Sequence, residues 1–430
     1  MLTGVSQSHL YRFPYPPMHI ILFEDCNTPQ LFPATIARPA FAINVGTYRL
    51  IDLAHRFGSS VEVMARPYLR EIVKLDFPNL WTPDKGKRSE PILALNARVV
   101  PHIELFQKIQ EFVKQGQSGI VSTPTGIACA LFANKDPFPH DFVGSAQLTG
   151  IIEDIALKPL DLQIPMLGYV HDIVRHHLRI MNDNLNDRLK TGEYKEIADG
   201  VFAAEGEPLG QYCVTDTTHG PVIFEKGVRI APFCYFKGPV YVGENVKIIE
   251  HSALKDFVSV GNTAKIGGEV EASIIEPYSN KQHHGFLGHS YLGSWVNLGA
   301  GTSNSDLKNT YGEVTMEYAN TKVKTGMQFV GCFIGDYAKT AINTSIFTGK
   351  TIGACSMLYG FITTNVPSFV NYARTFGQVT ETAVETLVST QARVFARRNV
   401  QQRPCDIQLL RDIYEMTRHE RQLASEPLSL

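Results

Sequence analysis

The sequence has no CxxC pair of cysteines and no apolar run long enough to span a membrane. Its numbers of acidic and basic residues are almost equal. Its longest apolar segments fall far short of the roughly 20 residues that a bilayer-spanning helix needs, and its 40 basic and 42 acidic residues give a net charge of −2. This balance offers no overall attraction for nucleic acid or an anionic membrane, so neither is expected as a partner. An odd number of cysteines without a CxxC spacing favours reduced thiols in a cytoplasmic protein over a disulfide framework; they stand at positions 26, 129, 213, 234, 332, 355 and 405.

The start of the chain also lacks the features of a secretion signal. Residues 1–17 are polar and rich in proline, without a basic start or an apolar core, and we interpret them as a flexible extension. The 430 residues of the chain exceed what one ordinary hydrophobic core organises, which predicts two or three domains.

The second half of the chain carries a repeat with a period of six residues. Apolar residues recur at every sixth position, and a second row of small or β-branched residues lies two positions earlier. The phase slips after Ala272 and resumes at Phe286 and again at Ile334. The first row consists of nine residues: Phe224, Ile230, Phe236, Val242, Ile248, Leu254, Val260, Ile266 and Ala272.

A six-residue period fits neither an α-helix, with about 3.6 residues per turn, nor a simple alternating strand. It is typical of a parallel β-helix with a triangular section, in which each hexad forms one flat face and stacks on the next coil. An antiparallel meander can also alternate apolar residues, but nine consecutive positions in one phase favour the solenoid.

The stretch at residues 286–302, FLGHSYLGSWVNLGAGT, resembles the segment YLGDAEIG..VNIGAGT of left-handed β-helix acyltransferases. The resemblance extends over about residues 221–366. It is most specific to the acetyltransferase half of the bifunctional N-acetylglucosamine-1-phosphate uridylyltransferase/glucosamine-1-phosphate acetyltransferases. This resemblance implies a left-handed β-helix, a homotrimer, and acetyl-CoA or another acyl-CoA bound between adjacent prisms.

The resemblance also implies an acyl-transfer site. Such a site needs a base that accepts a proton and a donor that holds the thioester oxyanion. The family's histidine base corresponds to His283, with His284 as the competing register. Its backbone oxyanion donor corresponds to Ala300, and its substrate asparagine corresponds to Asn297.

Some of the family's phosphate-binding groups are replaced in this sequence. The tyrosine that contacts the sugar phosphate corresponds to Phe286, and a lysine three residues before the base corresponds to Asn280, with Lys281 one place along as a substrate-binding candidate. Because an anionic phosphate requires cations, these changes leave the acceptor open. Asp306 and Lys308 correspond to a stretch that binds the CoA nucleotide, although both also suit an ordinary polar loop.

Two other interpretations of the histidines stay open. His283, His284 and His289 could bind zinc, but their irregular spacing without a nearby carboxylate or cysteine argues against a metal site. They could also be solvated turn residues, and we expect that role for His289.

Residues 18–195 alternate apolar runs with amphipathic helical patterns, which predicts an α/β domain with a mainly parallel sheet. We expect strands at 19–23, 61–64, 92–95 and 126–132, and helices at 101–115 and 167–189. The motifs LFPATIARPAFAINVGTYRLID, at 31–52, and LALNARVVP, at 93–101, resemble those of sugar-1-phosphate nucleotidyltransferases, which have a Rossmann-like fold.

The groups that nucleotidyl transfer requires are largely missing. The chemistry needs backbone N–H groups around the phosphates and a carboxylate-held Mg²⁺. The loop after the first strand, EDCNTPQ, has no glycine, the family lysine is Ala40, and the metal-binding aspartate is Arg98. Arg38 remains as a candidate phosphate contact. We favour a degenerate nucleotide-sugar pocket. Binding of Mg²⁺ would require a rearranged site formed by Asp172 or the acids near Asp183.

The predicted organisation is an extension at 1–17, a nucleotidyltransferase-like domain at 18–195, a linker at 196–220, a β-helix at 221–366 and a helical tail at 367–430. Three functions are compatible with it. The first is an acyl-CoA-dependent transferase acting on a sugar phosphate or nucleotide sugar. The others are a nucleotidyltransferase whose prism only trimerises it, and a non-catalytic nucleotide-sugar-binding protein.

Overall fold

The structure is a computed structural model that describes residues 16–80, 90–133, 144–205, 209–318 and 321–424. Residues 1–15 of the expected N-terminal extension lie outside the described residues. Within the described ranges no helix is both long and apolar enough to cross a bilayer.

The N-terminal α/β domain is built on a five-stranded sheet with the order β2-β1-β3-β5-β4. β1 pairs in parallel with β2 and β3, whereas β5 runs antiparallel to β3 and β4. The sheet is therefore mixed instead of mainly parallel, because a tight hairpin returns the chain directly from β4 to β5. The strands are β1 (His19–Phe23), β2 (Ser60–Met64), β3 (Ile92–Asn96), β4 (Gly119–Thr123) and β5 (Gly126–Phe132).

All five residues of β1 and all five of β3 are buried, which explains why these strands read as continuous apolar runs. Helices cover the sheet, and the expected helices at 101–115 and 167–189 correspond to α3 and α5. The helices are α1 (Leu50–Phe57), α2 (Arg70–Asp76), α3 (Ile103–Lys114), α4 (Ser145–Asp154) and α5 (Asp172–Thr191).

The second part of the chain is the predicted parallel β-helix, called the prism below. Its face 1 is a nine-stranded sheet. Eight of the nine hexad residues from Phe224 to Ala272 are buried, and Ile230 is half-buried. The strands of face 1 are Lys195–Ala198, Val201–Ala203, Val222–Phe224, Val240–Val242, Val258–Val260, Ile274–Ile275, Tyr291–Leu292, Cys332–Ile334 and Lys350–Ile352.

Faces 2 and 3 complete the triangle. In face 3, Asn297 bridges two four-stranded sheets by pairing with Asn280 and Lys339. The strands of face 2 are Val214–Asp216, Tyr235–Lys237, Ala253–Lys255, Glu269–Glu271 and Phe286–Gly288, followed by Ser303–Asn304, Ser345–Ile346 and Phe361–Ile362. Those of face 3 are Arg229–Ile230, Lys247–Ile248, Lys265–Ile266 and Asn280–Lys281, followed by Lys339–Thr340, Met357–Leu358, Val370–Ala373 and Gln378–Glu381.

The slip in the repeat is a shortened coil. Lys255 pairs with Lys237 on one side and with Glu271 on the other, and fewer residues separate it from Glu271. At the corner of this coil Ala272 has a φ of 47°. The polar excursion at 303–328 contains an antiparallel hairpin of Thr315–Tyr318 and Thr321–Lys324.

The solenoid extends beyond both expected limits. Val201–Ala203 and Val214–Asp216 pair within faces 1 and 2, so the segment expected as a linker at 196–220 contributes to the first coil. Val370–Ala373 still pairs in parallel with the preceding coil of face 3, beyond residue 366. These strands lie where the hexad pattern has already faded, because an end coil has a neighbour on one side only.

The tail consists of helices α6 (Val384–Ala396), α7 (Pro404–Met416) and α8 (Arg418–Ala424). It packs on the prism through the buried side chain of Phe395, whose ring lies 4.4 Å from that of Trp295. Trp295 in turn stacks on Tyr278 at 4.2 Å. The tail is thereby fixed along one corner of the prism.

Candidate functional site

His283 and His284 lie at the corner between face 3 and face 2, and both are exposed. The next coil places the turn of the GAG motif beside them, since the Gly301 N–H donates to the His284 carbonyl at 3.1 Å. A Cβ on Gly301 would lie 3.3 Å from Nε2 of His284. The turn therefore brings a histidine ring against its backbone, and the φ of 75° at Gly301 suits glycine.

The backbone amide of Ala300 is the second feature of this corner. The Ala300 carbonyl accepts the Asn343 N–H at 2.7 Å. Within the described ranges, no protein acceptor takes the Ala300 N–H, and the residue is partly exposed. The corner thus combines a free backbone donor with neighbouring imidazoles, the pair of groups that acyl transfer requires.

Lys281 points into the prism and not outward. It is 2% exposed, and its ammonium donates to the carbonyls of Gly267 at 2.7 Å and His283 at 2.5 Å. Burial lowers the pKa of Lys281 to about 8. The side chain supports the histidine turn from inside, so the expectation that it binds substrate directly is wrong.

Asn297 and Phe286 lie on either side of the histidine corner. Asn297, on face 3, is exposed and accepts a hydrogen bond from the side chain of Asn280 at 3.2 Å. Phe286, on face 2, is half-buried, and its backbone N–H donates to the hydroxyl of Ser303 at 3.1 Å. Both side chains can border a ligand at this corner, but only Asn297 offers polar atoms.

Asp306 and His289 form a pair that the sequence analysis did not anticipate. Nδ1 of His289 lies 2.8 Å from the Asp306 carboxylate, and the ring of Phe329 stacks on the imidazole at 5.2 Å. A carboxylate on Nδ1 fixes the tautomer and leaves Nε2 as the acceptor. His289 is therefore more than a turn residue, and Asp306, expected at the CoA nucleotide, already has a partner.

Lys308 lies on the excursion rather than at the histidine corner. Its ammonium donates to the Glu313 carbonyl at 2.5 Å, which closes a local turn.

In the α/β domain, Arg98 stands where the resembling enzymes carry a metal-binding aspartate. Its fully buried guanidinium donates to the Asp25 carboxylate at 2.8 and 2.6 Å and to the carbonyls of Leu167 and Thr125, both at 2.8 Å. Burial would raise the pKa of Asp25, but hydrogen bonds from Arg98 and Asn96 lower it overall. A permanent cation thus occupies this place, and the residues do not fit Mg²⁺ here.

Arg38 is not available as a phosphate contact. Its guanidinium forms ion pairs with Glu276, at 3.1 Å, and with Asp336, both of which belong to the prism. The three side chains are largely buried, and Tyr291 donates to Glu276 at 3.0 Å. The expectation for Arg38 is wrong, because the residue joins the two domains.

The acids that the sequence left open for a metal have separate roles. Asp172 accepts the N–H groups of Gly168 and Tyr169 at 2.8 and 2.9 Å, so it holds the turn that precedes α5. Asp183 lies with His102 and Glu104, and their donor atoms are within 4.8 Å of one another. Both acids are exposed, and His102 is already bonded to Asp183 at 3.1 Å.

Comparison with known proteins agrees with this architecture. Residues 20–190 match the family described as sugar nucleotidyl transferase. A bifunctional sugar-1-phosphate nucleotidylyltransferase/acetyltransferase of Sulfurisphaera tokodaii is 34% identical over 33% of this chain and 35% of its own. The bifunctional protein GlmU of Methanococcus vannielii is 32% identical over 33% of this chain and 34% of its own.

Among solved structures, the UDP-N-acetylglucosamine acyltransferase of Francisella novicida aligns with 54% of this chain and 79% of its own, at 14% identity and a TM-score of 0.34. The chain combines a sugar nucleotidyl transferase domain with a hexapeptide β-helix. Within that class it is similar to bifunctional proteins of the GlmU type. The matched segments span about a third of the two curated relatives named above.

Proposed function

We propose that the protein is an acyl-CoA-dependent transferase that acylates an amino or hydroxyl group of a sugar phosphate or nucleotide sugar. The observation that carries the proposal is the Ala300 N–H, which has no acceptor among the described residues and lies in the turn whose Gly301 N–H donates to the His284 carbonyl, next to His283 in the chain. The naming of the two curated relatives as acetyltransferases, or as GlmU, supports the same class.

In this proposal His283 takes the proton of the attacking amine or hydroxyl. The nucleophile forms a bond to the acyl carbon, the Ala300 amide holds the oxyanion, and the carbon–sulfur bond breaks to release CoA thiolate, which is then protonated. Acetyl-CoA is the simplest donor. The proposal includes a cytoplasmic homotrimer with the cleft between adjacent prisms.

The α/β domain has a different place in the proposal. Because Arg98 neutralises Asp25 from inside the protein, this domain binds or orients a nucleotide sugar without transferring a nucleotide. A nucleotidyltransferase that uses its prism only for trimerisation is the competing function. It would release pyrophosphate from a nucleoside triphosphate and a sugar-1-phosphate in the presence of Mg²⁺.

The test measures thiol release from acetyl-CoA by the full chain, with a panel of amino sugars, sugar phosphates and nucleotide sugars as acceptors. His283→Ala should lower turnover by roughly a hundredfold or more, as expected for loss of a general base. His284→Ala and His289→Ala distinguish the competing registers. The control is His251→Ala, which removes an exposed histidine from the same corner two coils earlier.

Each outcome has a defined meaning. Loss of turnover only in His289→Ala would move the base to the pair with Asp306. Full turnover in all three single variants would overturn the site. No thiol release with any acceptor, together with a higher melting temperature in the presence of a nucleotide sugar, would favour the non-catalytic function.

A further inference from the structure

Face 3 of the prism carries a cluster of cations close to the histidine corner. Lys247 and Lys265 are register partners on neighbouring strands, and Arg229 precedes them in the same ladder. Arg397 and Arg398 follow directly after α6, and Arg398 reaches the same face through hydrogen bonds to Thr263 and Asn280. We call Lys247, Lys265, Arg397 and Arg398 the basic cluster.

Arg398 shows how the tail completes the basic cluster. Its guanidinium donates to the Thr263 carbonyl at 3.1 Å and to the side-chain oxygen of Asn280 at 2.5 Å. Asn280 is the register partner of Lys265, so the arginine lies one strand away from the lysine. Burial, and then the charges of Arg398, Lys247 and Arg397, lower the pKa of Lys265.

The four cations have no carboxylate partner among the described residues. Across the part of the chain that the structure describes, none of them forms an ion pair, although twenty such pairs occur elsewhere. Face 2 is the contrast, since there Lys255 pairs with Glu269 at 2.5 Å and with Glu271 at 3.1 Å. Like charges directly opposite on neighbouring strands are destabilising.

A structural role accounts for only part of this arrangement. Cations at the end of a helix interact favourably with its dipole, which explains Arg397 and Arg398 after α6. The same argument does not apply to Lys247 and Lys265, which lie on strands and gain nothing from facing each other. Neighbouring strands are about 4.8 Å apart, close enough for one diphosphate to contact both lysines.

We propose that the basic cluster is a binding site for a diphosphate or another phosphate-rich small molecule. Lys247 and Lys265 would contact the phosphates as point charges, and a guanidinium of Arg397 or Arg398 would bind them through two parallel hydrogen bonds. The amides of Asn280 and Asn297 border the site on the side of the histidine corner.

The site lies beside the corner proposed for acyl transfer, and its link to a reaction rests on that proposal. The resemblance leads us to expect cations near Phe286 and Asn280, and the sequence has none at these two positions. The basic cluster would supply them. The phosphates could come from the CoA donor or from a nucleotide-sugar acceptor. Both sources present the same chemistry to the basic cluster.

The test is titration calorimetry of the full chain with pyrophosphate, CoA, 3′-dephospho-CoA and UDP-N-acetylglucosamine, at low and high salt. Lys247→Met/Lys265→Met should weaken pyrophosphate binding at least tenfold and reduce its salt dependence. The matched control Lys74→Met/Lys190→Met removes two exposed lysines from the α/β domain and should leave binding within twofold. Urea unfolding should show that the test variant is as stable as the parent, or more stable.

The ligands separate the two sources. Tighter binding of CoA than of 3′-dephospho-CoA, lost in the test variant, assigns the site to the donor; an equivalent loss for the nucleotide sugar assigns it to the acceptor. Unchanged pyrophosphate binding in the test variant overturns the proposal, as does a preference for short duplex DNA over every small ligand. The His283→Ala variant should bind pyrophosphate as tightly as the parent does. Pyrophosphate binding therefore tests the basic cluster even if the acyl-transfer proposal fails.

Discussion

Arg98 holds both carboxylate oxygens of Asp25, at 2.8 and 2.6 Å, at the end of the central strands of the α/β domain. An internal cation thus stands where the resembling nucleotidyltransferases carry a metal-binding aspartate. The pair couples β3 to the loop after β1, and it is fixed by two further carbonyl acceptors. At this position the chain therefore carries a buried ion pair.

Arg98→Met should lower the free energy of unfolding by about 3–5 kcal/mol, because it leaves the Asp25 carboxylate buried without its partner. Urea unfolding followed by circular dichroism measures the change. The double variant Asp25→Asn/Arg98→Met is the control and should be less destabilised than Arg98→Met alone. Equal stability of Arg98→Met and the parent would show that the pair has no structural role.

Arg38→Met tests the connection between the domains. The variant leaves Glu276 and Asp336 buried without their shared cation, so we expect a loss of about 3–5 kcal/mol. The α/β domain should then unfold at a lower urea concentration than the prism, giving two transitions or a broader one. Arg49→Met, whose ion pair with Asp52 is local and partly exposed, should cost less than about 1 kcal/mol.

The hexad repeat could be predicted from the sequence, whereas the ion pairs of Arg38 and Arg98 could not. Each coil of the prism needs apolar residues at the same inner positions, so the repeat is visible within a few residues of chain. Arg38 meets Asp336 across 298 residues and Arg98 meets Asp25 across 73, so no local pattern reveals either pair. Family motifs suggested a phosphate contact at Arg38, whereas burial by the second domain determines its partner.

The candidate site follows the same division. The GAG turn and the histidine corner could be located from the resemblance to β-helix acyltransferases, because both belong to the motif that carries it. The pairing of His289 with Asp306 could not, since 17 residues and one full coil separate them. The inward direction of Lys281 follows from its alignment with the buried Ile266, which a slip in the phase concealed.

His177 should make stability depend on pH. Its Nδ1 accepts the Gly46 N–H at 2.9 Å, and its Nε2 donates to the Phe257 carbonyl at 2.9 Å, so the folded protein holds the neutral ring. Burial lowers the pKa of His177 to about 4, from about 6.5 in an unfolded chain. Since the unfolded state binds more protons between these values, stability is full above pH 6.5 and falls by about 3 kcal/mol as the pH drops to 4.

The measurement compares urea unfolding at pH 7 and pH 4.5 for the parent and His177→Gln. The variant should be less stable at pH 7, and its loss of stability on acidification should be smaller than that of the parent. His219→Gln, in which an exposed histidine is replaced, should keep the parent's pH dependence. An identical pH dependence in His177→Gln and the parent would contradict the assignment.

The Ala300 amide can be removed without changing a side chain that holds the coil together. Ala300→Pro deletes the N–H that has no acceptor among the described residues, while Ala300→Ser retains it. Loss of one oxyanion donor typically lowers kcat by about 100- to 1,000-fold, and we expect this range for the proline variant with little change in KM. Thiol release from acetyl-CoA measures both constants, and the melting temperature checks that the coil is intact. Full turnover in a folded Ala300→Pro protein would exclude this amide as the oxyanion donor, because a proline nitrogen has no hydrogen to donate.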